Sequence, residues 1–228
     1  MNVLNLDSST KIFSIAVSKD KEILSTCSLR LEKALSVSII PMIDSVLKKA
    51  NFSLENIDGF AVGVGPGSFT SLRVGLSTVK AFGMVTQKPV VGVSSLDVIA
   101  QGAKDLGSDQ ICVLCDARRS MVFSSVYKIR NNQLKRVSAY FLSEAKDVLK
   151  KIKGDCLFVG DGVEIFEKEI KAYFKGKNNI VFGDEKNNYA KADDLAVLSF
   201  ERFKSKKIDN INTLTPMYLY PKDCQVRR

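Results

Sequence analysis

Apolar and polar positions first follow each other in short blocks with a period near two. Residues 3–6, 12–17 and 23–29 are apolar or alternating runs. They are separated by the polar turns Asp7-Ser8-Ser9-Thr10-Lys11 and Lys19-Asp20-Lys21. Tight turns between such runs predict three strands in an antiparallel meander. The period then changes. Over 35–50, Leu35, Ile39, Met42 and Val46 make one apolar row, and Ile43, Leu47 and Ala50 make a neighbouring one. That spacing predicts a helix with a wide apolar face, kinked or shortened at Pro41. A buried strand over 57–64 leads into the loop Gly65-Pro66-Gly67-Ser68. A helix over 71–85 leaves it, with Leu72, Leu76, Val79 and Phe82 on one side and the small residues Gly75, Thr78 and Ala81 beside them. A strand over 89–93 and a helix over 95–103 complete the first half. Strand–helix–strand–helix order implies a parallel part of the sheet.

The polar stretch from Gln101 to Ser108 divides the chain. Beyond it the pattern predicts strands over 111–115, 121–127, 134–141, 157–159 and 180–182. Helices are expected over 143–153, 163–174 and 190–204, and an extended tail over 216–228. The two halves share a register. Val3-Leu4-Asn5-Leu6-Asp7 matches Val113-Leu114-Cys115-Asp116, and the two aspartates lie 116 − 7 = 109 residues apart. Each ends a strand before a tight turn. A duplicated βββαβα unit follows: residues 1–103 and 104–228 as two subdomains facing a cleft, the α/β architecture of the actin-like (ASKHA) and sugar-kinase-like proteins.

Composition narrows the chemistry. A chain of 228 residues with 45% hydrophobic and 26% charged content has an ordinary globular make-up. No apolar run reaches the ~18 residues of a membrane span. An acidic residue at position 7 comes too early for a secretory signal, so a cytoplasmic location is expected. Histidine is absent, which excludes a Ser-His-Asp triad, a Cys-His dyad and any histidine-ligated metal. Cys112 and Cys115 form a C-x-x-C pair inside a predicted strand. Alternation sends the two thiols to opposite faces, as buried structural residues. The net charge is +9, and residues 101–228 hold 24 basic and 17 acidic side chains. The lysines are dispersed without interleaved aromatics. They read as a solvated surface, with weak attraction to nucleic acid left open.

In an actin-like architecture two strand-turn-strand hairpins hold nucleotide phosphates. Asp7, Ser8, Ser9 and Thr10 are the candidate phosphate site: an acid to place a hydrated metal, then hydroxyl residues. An aspartate-stabilised turn accounts for them equally well. The second hairpin, Asp116-Ala117-Arg118-Arg119, lacks the glycine or threonine that lets a phosphate approach. The loop at 65–70 is neither a Walker A loop nor a dinucleotide fingerprint, because no Lys follows and Thr70 stands where glycine is needed. Ser68 or Thr70 is the candidate cap of the following helix. No catalytic residue and no metal ligand is assigned.

Three blocks carry a resemblance: Asn5-Leu6-Asp7-Ser8-Ser9-Thr10, the run from Gly63 to Leu76 reading GVGPGSFTSLRVGL, and Gly92-Val93-Ser94-Ser95-Leu96. With Asp116-Ala117-Arg118-Arg119, Gly160-Asp161-Gly162 and Pro216-Met217-Tyr218-Leu219, the chain resembles the bacterial TsaB (YeaZ) family over nearly its whole length. Ser71 stands where the family pattern has glycine. Ala34-Leu35-Ser36 stands where it often has His-Ser-Glu. The resemblance implies a non-catalytic subunit in the making of threonylcarbamoyladenosine beside the anticodon of tRNA. It implies pairing with a TsaD-type catalytic subunit through the two N-terminal helices, an associated TsaE-type ATPase, contact with tRNA through the complex, and a homodimer when the chain is alone. The partner face is expected at Leu35, Ile39, Met42, Ile43, Val46, Leu72, Gly75, Leu76 and Val79, exposed in the isolated subunit. ATP or ADP is expected, if anywhere, at the degenerate first hairpin or at the partner interface. The alternatives are a stand-alone ATP-dependent kinase or ATPase of actin-like fold, and a module that binds tRNA directly without a partner.

Overall fold

The computed structural model describes residues 1–30, 35–176 and 179–220. They form two compact units, Met1–Gly102 with Tyr189–Pro216, and Ala103–Asn188 with the segment that begins at Met217.

The first unit is built on strands β1 (Asn2–Asp7), β2 (Ile12–Lys19), β3 (Glu22–Arg30), β4 (Gly59–Gly63) and β5 (Val90–Val93). Their order is β3-β2-β1-β4-β5. The meander β3-β2-β1 is antiparallel, and β1-β4-β5 is parallel. Alternation along β1 sorts the layers. Leu6 faces the side of α1 (Leu35–Lys49) and α2 (Phe69–Thr86). Asn5 and Asp7 face α3 (Ser95–Gly102) and α6 (Ala192–Lys204), where Ser199 Oγ donates to Asn5 Oδ1 at 2.8 Å. Pro41 lies inside α1 without ending it.

The second unit repeats the order. Strands β6 (Gln110–Asp116), β7 (Met121–Arg130), β8 (Gln133–Arg136), β10 (Cys156–Val159) and β11 (Ile180–Phe182) run β11-β10-β6-β7-β8, and β9 (Phe141–Glu144) also pairs with β7. Helices α4 (Ala145–Leu149) and α5 (Val163–Phe174) cover a core that includes Leu114, Val122, Val126, Val148, Phe158 and Ile170. Cys112 belongs to that core and Cys115 points to the other face, as alternation requires. Burial pushes both the Cys112 and Cys156 thiols up, Cys156 to about 12, so neither is a thiolate at neutral pH.

Three expectations change. One strand over 134–141 is two, because Ser138 Oγ takes the Val126 N–H at 2.8 Å and replaces the ladder bond between them. Residues 141–144 then join β9, which leaves α4 only five residues instead of a helix over 143–153. The division at 103/104 is crossed as well. Residues 189–216, assigned by sequence order to the second subdomain, return to the first sheet. Ala192 N–H donates to Ser14 Oγ at 2.9 Å and Thr26 Oγ1 to Asp193 at 2.6 Å. Asp209 accepts the Gly92 N–H at 2.7 Å and pairs with Arg202 at 3.0 Å. The far face of the first sheet needs a cover that α3 alone is too short to give. Of the tail, Tyr220 donates its hydroxyl to Ala117 O and meets Phe123 edge-on. Residues 221–228 lie outside the described residues, as does Ala34.

Candidate functional site

The first hairpin turn and the glycine loop form one closed structure. Asp7 ends β1 with its side chain fully buried. Its Oδ1 accepts from the N–H of Ser9 at 2.8 Å and from Ser9 Oγ at 2.6 Å; its Oδ2 accepts from Ser95 Oγ at 2.7 Å. Burial raises the Asp7 carboxyl above its ordinary value, against the downward pull of these bonds. Ser95, the first residue of α3, also accepts the Gly65 N–H at 3.2 Å, and its own N–H bonds Gly65 O at 2.9 Å. Ser95 therefore ties the turn, the loop and α3 together. Sequence reasoning assigned it no role, although it sits in the quoted Gly92–Leu96 block.

Glycine is required where the loop meets the turn. A Cβ at Gly67 would lie 2.1 Å from Ser9 O, and one at Gly63 would lie 1.7 Å from Asp7 Oδ2. Real Cβ contacts do not come that close. The approach lets the Ser68 N–H bond Ser9 O at 2.8 Å. Gly65 has φ +92°, and its peptide bond to Pro66 is cis. Ser68 holds the cap position of α2, but its hydroxyl bonds Ser71 Oγ at 3.1 Å rather than the backbone; Thr70 lies within the helix.

The candidate phosphate residues are thus accounted for one by one. Both oxygens of the Asp7 carboxylate accept hydrogen bonds, Oδ1 from Ser9 and Oδ2 from Ser95. Ser8 Oγ donates to Ser71 O at 2.9 Å, and Thr10 Oγ1 to Ile12 O at 3.1 Å. Asp7, Ser8 and Ser9 are buried and only Thr10 is half-buried. Of the two readings weighed for this turn, the geometry is that of a buried aspartate turn. A carboxylate that positions a hydrated metal must face solvent, and this one is fully buried with both oxygens accepting hydrogen bonds.

The expected partner face is corrected. Leu35, Ile39, Ile43, Val46, Leu72, Gly75, Leu76 and Val79 are all buried inside the first unit, and Met42 is half-buried. Both helices turn these rows onto their own sheet, where burying each large apolar side chain stabilises by about 1.5–3 kcal/mol. Gly75 meets Ser8 Oγ, not a partner helix. The exposed sides of the same helices carry other apolar residues. These are Val37 (70% exposed) and Ile40 (53%) on α1, with Phe69, Met84 and Val85 (83%) on α2. The Arg73 guanidinium stacks on the Phe69 ring at 3.9 Å.

The second hairpin is open. Asp116 Oδ1 accepts the Arg118 N–H at 2.8 Å, the same i+2 bond that Asp7 makes. Its own N–H goes to Asp161 Oδ1 at 2.9 Å. Arg118, Arg119 and Ser120 are exposed and left-handed, with φ of 67°, 52° and 60°. Among the described residues no cluster of three or more acidic or cysteine side chains could hold a metal. No helix among them is long and apolar enough to cross a membrane.

Against this geometry stand the likenesses to known proteins. The model of the family described as TsaD, tRNA N6-adenosine threonylcarbamoyltransferase, matches residues 29–224. The chain is 29% identical over 212 residues to the tRNA threonylcarbamoyladenosine biosynthesis protein TsaB of Buchnera aphidicola subsp. Schizaphis graminum, covering 90% of this chain and 96% of that protein. Its fold is that of YeaZ from Pseudomonas aeruginosa, with TM-score 0.81 at 22% identity over 96% and 99% of the two chains. A ROK hexokinase from Thermus thermophilus shares the actin-like architecture at TM-score 0.50 and 11% identity, over 90% of this chain and all of that one.

Proposed function

The chain belongs to the TsaD family, among its TsaB (YeaZ) members, and from that premise we propose that it is a non-catalytic partner subunit in threonylcarbamoyl transfer to tRNA adenosine. It supports a TsaD-type catalytic subunit, with a TsaE-type ATPase as a further member, in the cytoplasm. One observation carries the partner role. α1 and α2 keep Val37, Ile40, Phe69, Met84 and Val85 exposed after their main apolar rows have been buried in the unit's own core. Large apolar side chains left exposed on two adjoining helices suit an apolar partner surface. A second copy of the chain occupies the same face when the partner is absent.

The turn at Asp7 supports the non-catalytic part. Its carboxylate is buried and hydrogen-bonded by Ser9 and Ser95, and the chain has no histidine to replace it as a ligand or base. Calorimetry of the purified chain with Mg-ATP is expected to show no micromolar binding. Such binding with turnover would instead favour an independent ATPase.

The decisive experiment has two arms. Depleting the protein should lower threonylcarbamoyladenosine in tRNA hydrolysates measured by mass spectrometry, and unchanged levels would refute the role. The double change Ile40→Arg with Val85→Arg should weaken copurification with the TsaD-type subunit at least ten-fold while the chain stays folded. A complex that survives it undiminished would place the interface elsewhere.

A further inference from the structure

The rim of the second sheet carries a charge pattern that the partner role does not use. From residue 117 to residue 143 the chain holds six basic side chains, Arg118, Arg119, Lys128, Arg130, Lys135 and Arg136, and no acidic one. The register concentrates part of this set. Lys128 stands directly opposite Lys135, and Arg130 opposite Gln133, on one face of the β7–β8 hairpin. A groove of about 770 Å³ opens beside that face, lined by Lys128, Arg130 and Lys153 together with Ser108 and Asn179. Among the described residues, none of Lys128, Arg130, Lys135 and Lys153 makes an ion pair.

We infer that this hairpin face and groove form a contact surface for the phosphate backbone of RNA. Like charges directly opposite on paired strands destabilise a sheet. Lys128 and Lys135 hold that arrangement with no carboxylate between them, and a phosphate between the two ammonium groups offsets the repulsion. Lysine on an edge strand also deters sheet-to-sheet pairing. That accounts for Lys135 on the edge strand β8, but not for Lys128 on the interior strand β7 or for Lys153 in a loop. The groove also holds two carboxylates, Asp109 and Asp155, so its lining is +3 − 2 = +1, and +2 with Lys135. Asp155 is turned to the Asn179 N–H at 2.9 Å. A modest charge of this size fits a few spaced phosphates rather than a compact polyphosphate. The choice of RNA among polyanions rests on the proposed function.

The test uses the full chain and an unmodified tRNA transcript in a binding titration across salt. Each phosphate contact contributes about 0.7–0.9 to the log–log salt slope. Lys128→Glu with Lys135→Glu is expected to weaken binding about ten-fold and flatten the slope by about 1–2. Reversing two exposed lysines on the α5 side, Lys168→Glu and Lys175→Glu, should change affinity less than two-fold. Lys128→Glu alone supplies the control for folding. It creates an opposite-charge pair with Lys135, so the melting temperature should hold or rise while RNA affinity falls. Equal loss from the α5 pair, or unchanged affinity and slope in the hairpin pair, would overturn the inference. Competition by polyglutamate as strong as by tRNA would overturn it too, in favour of an acidic protein segment. Depletion that leaves threonylcarbamoyladenosine unchanged refutes the proposed function alone, since the hairpin variants read RNA binding directly.

Discussion

Two turns built on the same plan have opposite fates. Asp7 and Asp116 each end the first strand of a βββαβα unit, and each accepts the N–H two residues on at 2.8 Å. The difference lies in the loop that follows the strand running parallel beside the first, β4 in one unit and β10 in the other. In the first unit Gly63 and Gly67 allow that loop to reach over the turn as far as Ser9 O. In the second, the corresponding loop Gly160-Asp161-Gly162 stops at the strand. Gly162 N–H bonds Leu114 O at 3.0 Å and Asp161 bonds the Asp116 N–H, while Arg118 to Ser120 stay outside. One turn has become part of a core; the other displays two arginines in left-handed backbone. Non-glycine residues rarely hold that conformation, at about 1–2 kcal/mol each. What a repeated motif does is thus decided by how far a neighbouring loop extends, not by the motif.

The comparison can be broken most forcefully at the glycines. Gly63→Ala puts a methyl carbon 1.7 Å from Asp7 Oδ2, whereas Gly162→Ala meets Leu114 O at 3.0 Å and Asp116 N at 3.2 Å. Urea denaturation should show a loss above about 3 kcal/mol, or no folding, for Gly63→Ala, and about 1 kcal/mol for Gly162→Ala. Equal costs would mean that Gly63 is packed no more closely than Gly162.

The two turns can also be broken at their aspartates. Asp7→Asn replaces one acceptor oxygen by an amide NH2 at a fully buried site where both oxygens accept, at about 2 kcal/mol. Asp116→Asn keeps a side-chain oxygen for the Arg118 N–H on a partly exposed turn, and should cost under about 1 kcal/mol. Thermal or chemical denaturation of the two variants side by side checks the ratio.

A pH series sharpens the contrast between the units. Among the described residues the carboxyls raised by burial, Asp7 and Asp194, both lie in the first unit. Asp194 is pushed up to about 6 by desolvation, where α6 starts beside Gly102. Between pH 3.8 and about 6 the folded state holds a proton that the unfolded chain has released. Stability from this group is therefore full at low pH and lost as pH rises through that window, by about 3 kcal/mol. Asp194→Asn should remove that slope and stabilise the protein at pH 7, while leaving it near the parent at pH 4. Amide exchange should place the gain in the first unit. Asp209→Ala should cost about 1–2 kcal/mol, from the lost Gly92 and Arg202 contacts. It should raise exchange in β5 and leave the second unit unchanged.

Much of the fold was legible in the chain. Periodicity located the meander 3–6, 12–17 and 23–29, the helix over 163–174 and the strand over 180–182 almost to the residue. The 109-residue offset between Asp7 and Asp116 announced two units, and the shared sheet order bears it out. The run from Gly63 to Gly75 identified the family. The candidate site was legible only as a set of names. Asp7, Ser8, Ser9 and Gly67 do come together, but as a closed turn.

What the sequence determined by itself is local: the elements, their repetition, and which positions on each are apolar. Periodicity follows from backbone geometry and needs no neighbours. The tertiary structure decided what covers each face. It turned Leu35, Ile39, Leu72 and Val79 onto their own sheet and left Val37, Ile40 and Val85 outside. It brought residues 189–216 back across the first sheet. Those outcomes depend on contacts between residues distant in the chain, whose free energies compete only once the elements are packed.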